Sequence, residues 1–315
     1  MRRDSDVLSC LCLTGPTACG KTELALALAE EVPVEVISMD SALVYRGMDI
    51  GTAKPNATVR ARVPHHLIDI ADPSEAYSAG RFAADSRAAA ADIAARGRIP
   101  LLVGGTLLYL RAFCGGLADL PEADFELRQR IDAEAEVLGW PALHARLAGL
   151  DPDAAAKIAP TDRQRIQRAL EVYALTGEVI SAHQRRGSKG DDSVRVTTLA
   201  IVVEDRAALA ERIEQRFDAM VEAGFVAEVE ALMARGDLDP ELPAMRAVGY
   251  RQIWGYLSGD YDWSEARRRA VTATRQLAKR QMTWIRSEPN FEALPWSNTR
   301  QLRAVLEWAR STRRQ

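Results

Sequence analysis

Short continuous hydrophobic runs alternate along the chain with longer stretches that have apolar residues at helical spacing. Five of these runs have the length and composition of buried strands: residues 8–14, 34–40, 65–70, 99–106 with its glycine turn, and 194–203. Ser78 fits a helix cap, and the alanine-rich stretch after it predicts a helix to about Arg96, closed by Gly97. Buried strands alternating with helices predict an α/β fold with a mainly parallel, doubly wound sheet.

The pattern changes between residues 121 and 187, where only helical spacing is found. Helices are predicted over 126–138 and 141–150, and a third begins at a capping box of Thr161 and Gln164 and ends at Thr176 and Gly177. The polar stretch 184–193 contains two glycines and predicts a mobile loop. We therefore expect a helical insertion domain, 121–193, within a core domain of 1–120 and 194–315 that ends in C-terminal helices.

Composition narrows the class of protein. The 315 residues are 47% hydrophobic, which is typical of a globular protein. Their net charge of −3 does not by itself indicate binding to nucleic acid or to a membrane surface. No apolar run is long enough to span a bilayer. Four cysteines lack zinc-ligand spacing and fit small core residues of a reducing compartment. A cytoplasmic protein without a membrane partner is expected.

The strongest motif follows the first strand. Eight residues fit the pattern G-x-x-x-x-G-K-[ST]: Gly15, Pro16, Thr17, Ala18, Cys19, Gly20, Lys21 and Thr22. Helix formers come directly after them, so main-chain N–H groups and a helix N-terminus would face an anion. Lys21 adds a full charge, and the Thr22 hydroxyl is a candidate ligand for Mg²⁺. This stretch predicts a phosphate loop for a diphosphate or triphosphate.

Asp40 ends the second strand, at the same sheet edge as the phosphate loop. Its carboxylate fits a general base, a magnesium ligand, a ribose contact or a simple helix cap, and position alone does not choose among these. The fourth strand ends in Gly104, Gly105 and Thr106, without the aspartate that assists magnesium in P-loop ATPases. This absence disfavours a plain ATPase.

Residues 267–286 contain seven basic residues and no acidic one. On a helix, one face carries Arg268, Thr272, Arg275, Lys279 and Arg286. The opposite face carries Ala270, Ala273, Leu277, Trp284 and Ile285. We call the first set the basic face. It suits the regularly spaced charges of a nucleic-acid backbone, and smaller basic clusters lie at 163–168 and 246–251.

Ordered blocks over most of the chain resemble the tRNA dimethylallyltransferase (tRNA isopentenyltransferase) family. They include GPTACGKT, ISMDSALVYRGMDIGTAKP, PHHLIDI, LLVGGTLLYL, DRQRIQRALEVY, MRAVGYRQIW and ATRQLAKRQMTWIR. The resemblance implies a P-loop NTPase-like core, with Mg²⁺ as cofactor. It implies that dimethylallyl diphosphate donates its five-carbon group to N6 of the adenosine just 3′ of the anticodon, with release of diphosphate. The loop is often described as ATP-binding, but no phosphoryl transfer is then expected.

The resemblance also implies roles for individual residues. Asp40 would be the catalytic base, Arg216 would pair with the donor diphosphate, and Thr106 would belong to the catalytic group. Residues 17–22 would contact the donor, with Lys21 on phosphate and Thr22 on the metal. Contacts to the tRNA anticodon stem-loop would come from Asp40, Ser41, Ala42, Leu43, Thr106, Arg128, Gln164, Arg165, Ile166, Gln167, Arg168, Arg246, Ala247, Val248, Gly249, Tyr250, Arg251, Lys279, Arg280, Gln281, Met282, Thr283, Trp284, Ile285 and Arg286. A monomer is expected.

Three alternatives stay open from the sequence. A P-loop small-molecule kinase would use the same loop and Asp40 but needs no basic face. A prenyltransferase acting on free adenine nucleotides would share the donor site. A non-catalytic RNA-binding module would use the basic face and leave the phosphate loop idle.

Overall fold

The computed structural model describes residues 7–115, 117–118, 120–186, 193–296 and 301–312. The chain divides into two compact units, one formed by Met1–Cys114 with Asp192–Gln315 and the other by Gly115–Asp191. Each unit has its own cluster of buried apolar side chains. Within the described residues, no helix is both long and apolar enough to cross a membrane.

A parallel sheet forms the centre of the first unit. Its six described strands are β1 (Leu8–Thr14), β2 (Val34–Met39), β3 (His65–His66), β4 (Ile99–Gly104), β5 (Val194–Val202) and β6 (Glu292–Pro295). They lie in the order β3-β2-β4-β1-β5-β6, and every recorded pair is parallel. The predicted α/β class and parallel sheet are confirmed. The strand that carries the phosphate loop lies between β4 and β5, so it is hydrogen-bonded along both sides.

Two strand predictions were wrong in detail. The third strand is only two residues long, because the chain turns at Leu67 and Asp69, which have φ angles of 62° and 60°. No strand was predicted after Val203, but β6 adds a short edge strand beside β5. Four residues at a sheet edge are too few to show a period along the sequence.

Helices surround the sheet in the first unit. They are α1 (Lys21–Glu31), α2 (Ala57–Arg62), α3 (Ala79–Ala95), α4 (Leu107–Phe113), α10 (Arg206–Glu222), α11 (Phe225–Ala234), α12 (Tyr250–Leu257), α13 (Trp263–Ser287) and α14 (Gln301–Thr312). The ends predicted for α3 are confirmed: the Ser78 hydroxyl accepts from the Arg81 N–H at 3.1 Å, and Gly97 has a φ of 72°. Local capping chemistry thus fixes this helix as the sequence indicated.

The second unit is helical throughout its described residues. Its helices are α5 (Phe125–Leu138), α6 (Trp140–Leu150), α7 (Pro152–Ala155), α8 (Arg163–Thr176) and α9 (Ile180–Arg186). The capping box predicted for α8 is wrong: the side chain of Asp162 caps the helix and accepts from the Arg165 N–H at 3.2 Å. Gly177 ends α8 with a φ of 70°, as predicted. The predicted mobile loop begins within α9, and its residues 187–192 lie outside the described part of the chain.

Candidate active site

The phosphate loop joins the end of β1 to the start of α1 and is shaped by close contacts. The Thr14 hydroxyl donates to the Gly104 carbonyl of β4 at 2.9 Å and anchors the start of the loop. A Cβ on Gly15 would lie 2.8 Å from the sulfur of the buried Cys19, so no side chain fits there. Gly20 has a φ of 90°, in the region that favours glycine. The geometry of the loop therefore accounts for both glycines of the motif.

Lys21 begins α1, and its side chain folds back over the loop. Its Nζ donates to the carbonyls of Gly15 at 3.0 Å and Pro16 at 2.7 Å. The N-terminus of α1 adds partial positive charge at the same place, because its first N–H groups have no partner within the helix. Full and partial positive charges are thus concentrated at the loop, which suits the oxygen atoms of a phosphate group.

Asp40 lies directly after β2, in a turn rather than at the start of a helix. Its Oδ1 accepts from the Ala42 N–H at 2.9 Å, which fixes the orientation of the carboxylate. The helix-cap alternative is therefore wrong. The neighbouring Ser41 N–H donates to the Thr106 hydroxyl at 3.2 Å. Thr106 thus ties the turn after β4 to the Asp40 turn.

The end of β4 has no room for the acidic side chain that P-loop ATPases carry there. A Cβ on Gly104 would lie 1.9 Å from the Met39 carbonyl oxygen of β2, which is much closer than two non-bonded atoms can approach. A Cβ on Gly105 would lie 2.2 Å from the side-chain nitrogen of Gln281. The main chain of β2 and the side chain of Gln281 therefore leave no space for a carboxylate at the end of β4.

A cavity of about 580 Å³ within the first unit brings most of the predicted donor and catalytic residues together, but Cys19 and Thr106 are not among its lining residues. Its polar lining includes Thr17, Lys21, Thr22, Asp40, Arg216 and Gln281. Its apolar lining includes Ala25, Val36, Leu43, Ile68, Val103 and Leu277. The cavity, which Glu23 also lines, thus offers cationic groups, two carboxylates and a hydrocarbon surface to the same ligand.

Arg216 faces this cavity from α10. Burial lowers the pKa of its guanidinium, and the nearby negative charges of Asp40 and Glu23 oppose that shift. Among the described residues, no hydrogen bond or ion pair is recorded for its guanidinium. Arginine stays charged at every physiological pH, so this side chain places a cation near Asp40 and the phosphate loop.

Comparison with known proteins identifies the protein family to which this chain belongs. A family model described as IPP transferase matches residues 43–288. The chain belongs to the IPP transferase family. A tRNA dimethylallyltransferase from Thioalkalivibrio sulfidiphilus is 57% identical over 305 residues, which cover 95% of each chain. A second, from Burkholderia pseudomallei, is 59% identical over 281 residues, or 88% of this chain and 87% of the relative.

Solved structures agree with this assignment to the IPP transferase family. The full-length tRNA isopentenylpyrophosphate transferase from Bacillus halodurans superposes with a TM-score of 0.70 at 36% identity and covers 96% of each chain. A eukaryotic dimethylallyltransferase acting on tRNA superposes with a TM-score of 0.73 at 28% identity, over 93% of this chain and 75% of that one. The resemblance to tRNA dimethylallyltransferases is therefore confirmed.

In this member of the IPP transferase family, α13 has the two faces that the sequence predicted. The basic face is exposed, whereas Ala270 and Ile285 are buried. The face is not uniformly cationic, because Arg268 pairs with Glu265 and Arg275 pairs with an acid of α10. No ion pair to a described residue is recorded for Lys279, Arg280 or Arg286. The basic side chains without a recorded ion pair are thus concentrated between Lys279 and the end of α13.

Some residues that the family resemblance assigned to tRNA have buried side chains. These are Ile166, Tyr250, Met282 and Ile285. Tyr250 is fully buried and donates to Glu228 at 2.5 Å, while Glu228 also accepts from the N–H groups of residues 49–51. These side chains stabilise the fold, and exposed neighbours such as Arg246 and Arg251 are left as the groups that an RNA backbone can reach.

In the second unit, two of the predicted RNA contacts share a buried acid. Glu171 is fully buried and accepts from Arg128 at 2.8 and 3.0 Å and from Arg168 at 2.6 Å. Gln167 donates to Asp132 at 2.6 Å, and Arg165 is exposed. Glu171 follows the basic cluster 163–168 by three positions, but nothing in the sequence marked it as the residue that pairs with Arg128 and Arg168.

Three cavity residues were missed as donor-site residues by sequence reasoning. Arg212 lies one helical turn before Arg216, a spacing that places both on one face of α10 and was a usable signal. Ser38 lies on β2, and its buried hydroxyl has no hydrogen-bond partner among the described residues. His65 contributes from β3. Ser38 and His65 both lie in blocks that carry the family resemblance, but no role was assigned to either, and only the folded sheet places them at the cavity.

Proposed function

We propose that the protein transfers a dimethylallyl group from dimethylallyl diphosphate to N6 of the adenosine immediately 3′ of the anticodon in tRNA. The observation that carries the proposal is the single cavity in which the phosphate loop, Asp40 and Arg216 meet an apolar surface, in a member of the IPP transferase family. The names of the relatives support the same reaction. The phosphate loop would bind the diphosphate, and the apolar lining would accommodate the five-carbon group.

In the proposed reaction, the N6 nitrogen forms a bond to C1 of the allyl group while the bond from C1 to the diphosphate oxygen breaks. The diphosphate leaves with the bonding electron pair, and N6 loses a proton to the Asp40 carboxylate. The amine is a poor nucleophile because its lone pair is delocalised into the ring, so a base at this position assists the attack. Negative charge that develops on the leaving group would be stabilised by Lys21, Arg216 and the N–H groups of the loop.

The residues at the site fit a magnesium ion that arrives with the diphosphate. Within the described part of the chain, no cluster of three His, Cys, Asp or Glu side chains could hold a metal by itself. Thr22 and the unpartnered Ser38 hydroxyl both line the cavity and would supply oxygen atoms. Mg²⁺ commonly combines few protein oxygens with substrate phosphates and water. When bound, the ion would neutralise part of the charge on the leaving diphosphate.

The remaining partners follow from the same proposal. The exposed cations between Lys279 and the end of α13 would bind RNA phosphates, and the target base would leave its stack to reach the cavity. We propose that the protein acts as a monomer in the cytoplasm, where tRNA is its acceptor.

Purified protein with magnesium, dimethylallyl diphosphate and an unmodified anticodon stem-loop tests the proposal. Nucleoside mass spectrometry should detect a five-carbon gain on the adenosine next to the anticodon, and a parallel sample with EDTA tests the metal. Consumption of ATP without this gain would refute prenyl transfer and favour a kinase. Equal activity on free adenosine phosphate would favour the nucleotide prenyltransferase. RNA binding with no chemistry would favour the binding module.

The Asp40→Asn variant tests the proposed base. Its amide oxygen retains the acceptor for the Ala42 N–H, so the turn should persist while proton removal is lost. We expect turnover to fall by about 10²–10⁴-fold with RNA affinity unchanged. Asp260→Asn, at an exposed position after α12, is the matched control and should keep full activity. Normal turnover in Asp40→Asn would exclude a role as base.

A further inference from the structure

Gln281 uses both ends of its side-chain amide to join two loops that meet at the cavity. Its Oε1 accepts from the Thr17 N–H of the phosphate loop at 2.8 Å. Its Nε2 donates to the Gly105 carbonyl after β4 at 3.0 Å. These partners lie 264 and 176 residues away along the chain, so the glutamine is a long-range connection between α13 and the ends of β1 and β4.

The surroundings of Gln281 are fitted to this position. A Cβ on Gly105 would lie 2.2 Å from the Gln281 Nε2, so only glycine leaves space for the amide. The adjacent Met282 is buried, which fixes the orientation of this part of α13. Lys279 and Arg280, by contrast, are exposed. Gln281 therefore faces the cavity, whereas its basic neighbours face outward.

The contact matters because main-chain N–H groups are what a phosphate loop offers to an anion. A loop binds a diphosphate well only when these groups are held in the required geometry before binding. The Thr17 N–H already has a partner in Gln281, so the anion would rely on the later N–H groups of the loop. Their placement depends on where residues 16 and 17 are held.

We propose that Gln281 is a positioning residue for the donor diphosphate and does not contact RNA through its side chain. It fixes the start of the phosphate loop against the end of β4, so that the later N–H groups and Lys21 are arranged for the anion before it binds. The part that concerns the donor rests on the proposed prenyl transfer, while the arrangement of the loop does not.

Gln281→Met tests the proposal, because methionine has a similar length and removes both hydrogen bonds. Inorganic diphosphate with magnesium is the probe, and calorimetry gives its dissociation constant. We expect the dissociation constant for diphosphate to rise about tenfold. This is the size of effect expected when two ordinary hydrogen bonds that hold the loop in its binding geometry are lost. Hydrogen exchange at the Thr17 amide should become faster in the ligand-free protein. The melting temperature should fall by only about a few degrees, because two hydrogen bonds are lost, and the affinity for a stem-loop RNA should not change.

The matched control is Gln276→Met, an exposed glutamine on the same helix, which should leave all four quantities unchanged. In the prenyl-transfer assay, Gln281→Met should raise the KM for the donor more than it lowers kcat. Unchanged or tighter diphosphate binding would overturn the proposal, as would weaker RNA binding with normal diphosphate binding. Because the exchange and calorimetric measurements need no catalysis, they stand even when prenyl transfer itself is not observed.

Discussion

Replacing Glu171 with glutamine tests how the second unit is held together. Glu171 is fully buried on α8 and accepts from the side chains of Arg128 and Arg168. It also accepts from the Asp124 N–H at 2.9 Å, at the start of α5. One carboxylate therefore joins the beginning of α5 to the middle of α8. Glutamine has nearly the same shape but carries no charge and adds an N–H group that faces two cations.

The expected cost follows from burial. Loss of one partner from a buried ion pair costs about 3–5 kcal/mol. The Arg128 side chain is 36% exposed and that of Arg168 is 25% exposed, so water replaces part of what each loses. Glutamine also retains one acceptor oxygen. We therefore expect Glu171→Gln to lower the free energy of unfolding of the second unit by roughly 2–3 kcal/mol.

The effect should depend on pH in a defined direction. Burial alone would raise the pKa of Glu171, but the hydrogen bonds from Arg128, Arg168 and the Asp124 N–H, together with the charge of Arg128, outweigh it, and the pKa lies below its ordinary value of 4.5. A carboxyl whose pKa is lower in the folded state stabilises the fold above its ordinary pKa. That stabilisation is lost as the pH falls through the folded pKa. The difference between wild type and Glu171→Gln should be constant near neutrality and shrink below about pH 4.5.

Hydrogen exchange read by mass spectrometry on peptides from α5 and α8 measures this difference. Glu136→Gln, at an exposed position of α5, is the control and should match wild type. Equal protection of α5 and α8 in Glu171→Gln and wild type would refute the reasoning. So would a difference that persists undiminished at about pH 3.

Two further variants separate structural side chains from those available to RNA. Tyr250→Phe should lower the free energy of unfolding, measured in urea, by about 1.5–3 kcal/mol without changing RNA affinity, because the buried hydrogen bond to the Glu228 carboxylate is lost. Tyr256→Phe on the same helix is the control. Weakened RNA binding in Tyr250→Phe would contradict this assignment. Lys279→Gln should reduce the slope of log Kd for stem-loop RNA against log salt by about one, whereas Arg275→Gln, whose guanidinium is already paired with an acid, should change it little. Equal slopes for these two would refute the assignment of the free charge to the end of α13.

Local signals made most of the sheet and the phosphate loop predictable. The loop motif, the cap at Ser78 and the termination at Gly177 each depend on residues within a few positions of one another. The two faces of α13 were predictable for the same reason, since a helix repeats every 3.6 residues. The ion pair of Arg275 with α10 was not, because its partner is distant in the sequence.

The sequence could not show the contacts that residues make only in the folded protein. Gln281 stood in a basic segment and was assigned to RNA, whereas its amide bonds the phosphate loop. The cap of α8 was placed at Thr161, yet the next residue, Asp162, has the geometry to accept the N–H. The strand β6 was missed because four residues at a sheet edge are held by pairing with β5 rather than by their own preference.

The order of the strands has a consequence for synthesis of the protein. The second unit is one continuous segment, so all of its residues are available to fold together soon after that segment is made. β1, near the N-terminus, pairs with β5 and cannot be enclosed on that side until residues 194–202 have been translated. The hydrogen bond from Thr17 to Gln281 forms later still. The phosphate loop is therefore completed by a residue that is translated 264 positions after Thr17, and a nascent chain carries an unfinished phosphate site until that residue is made.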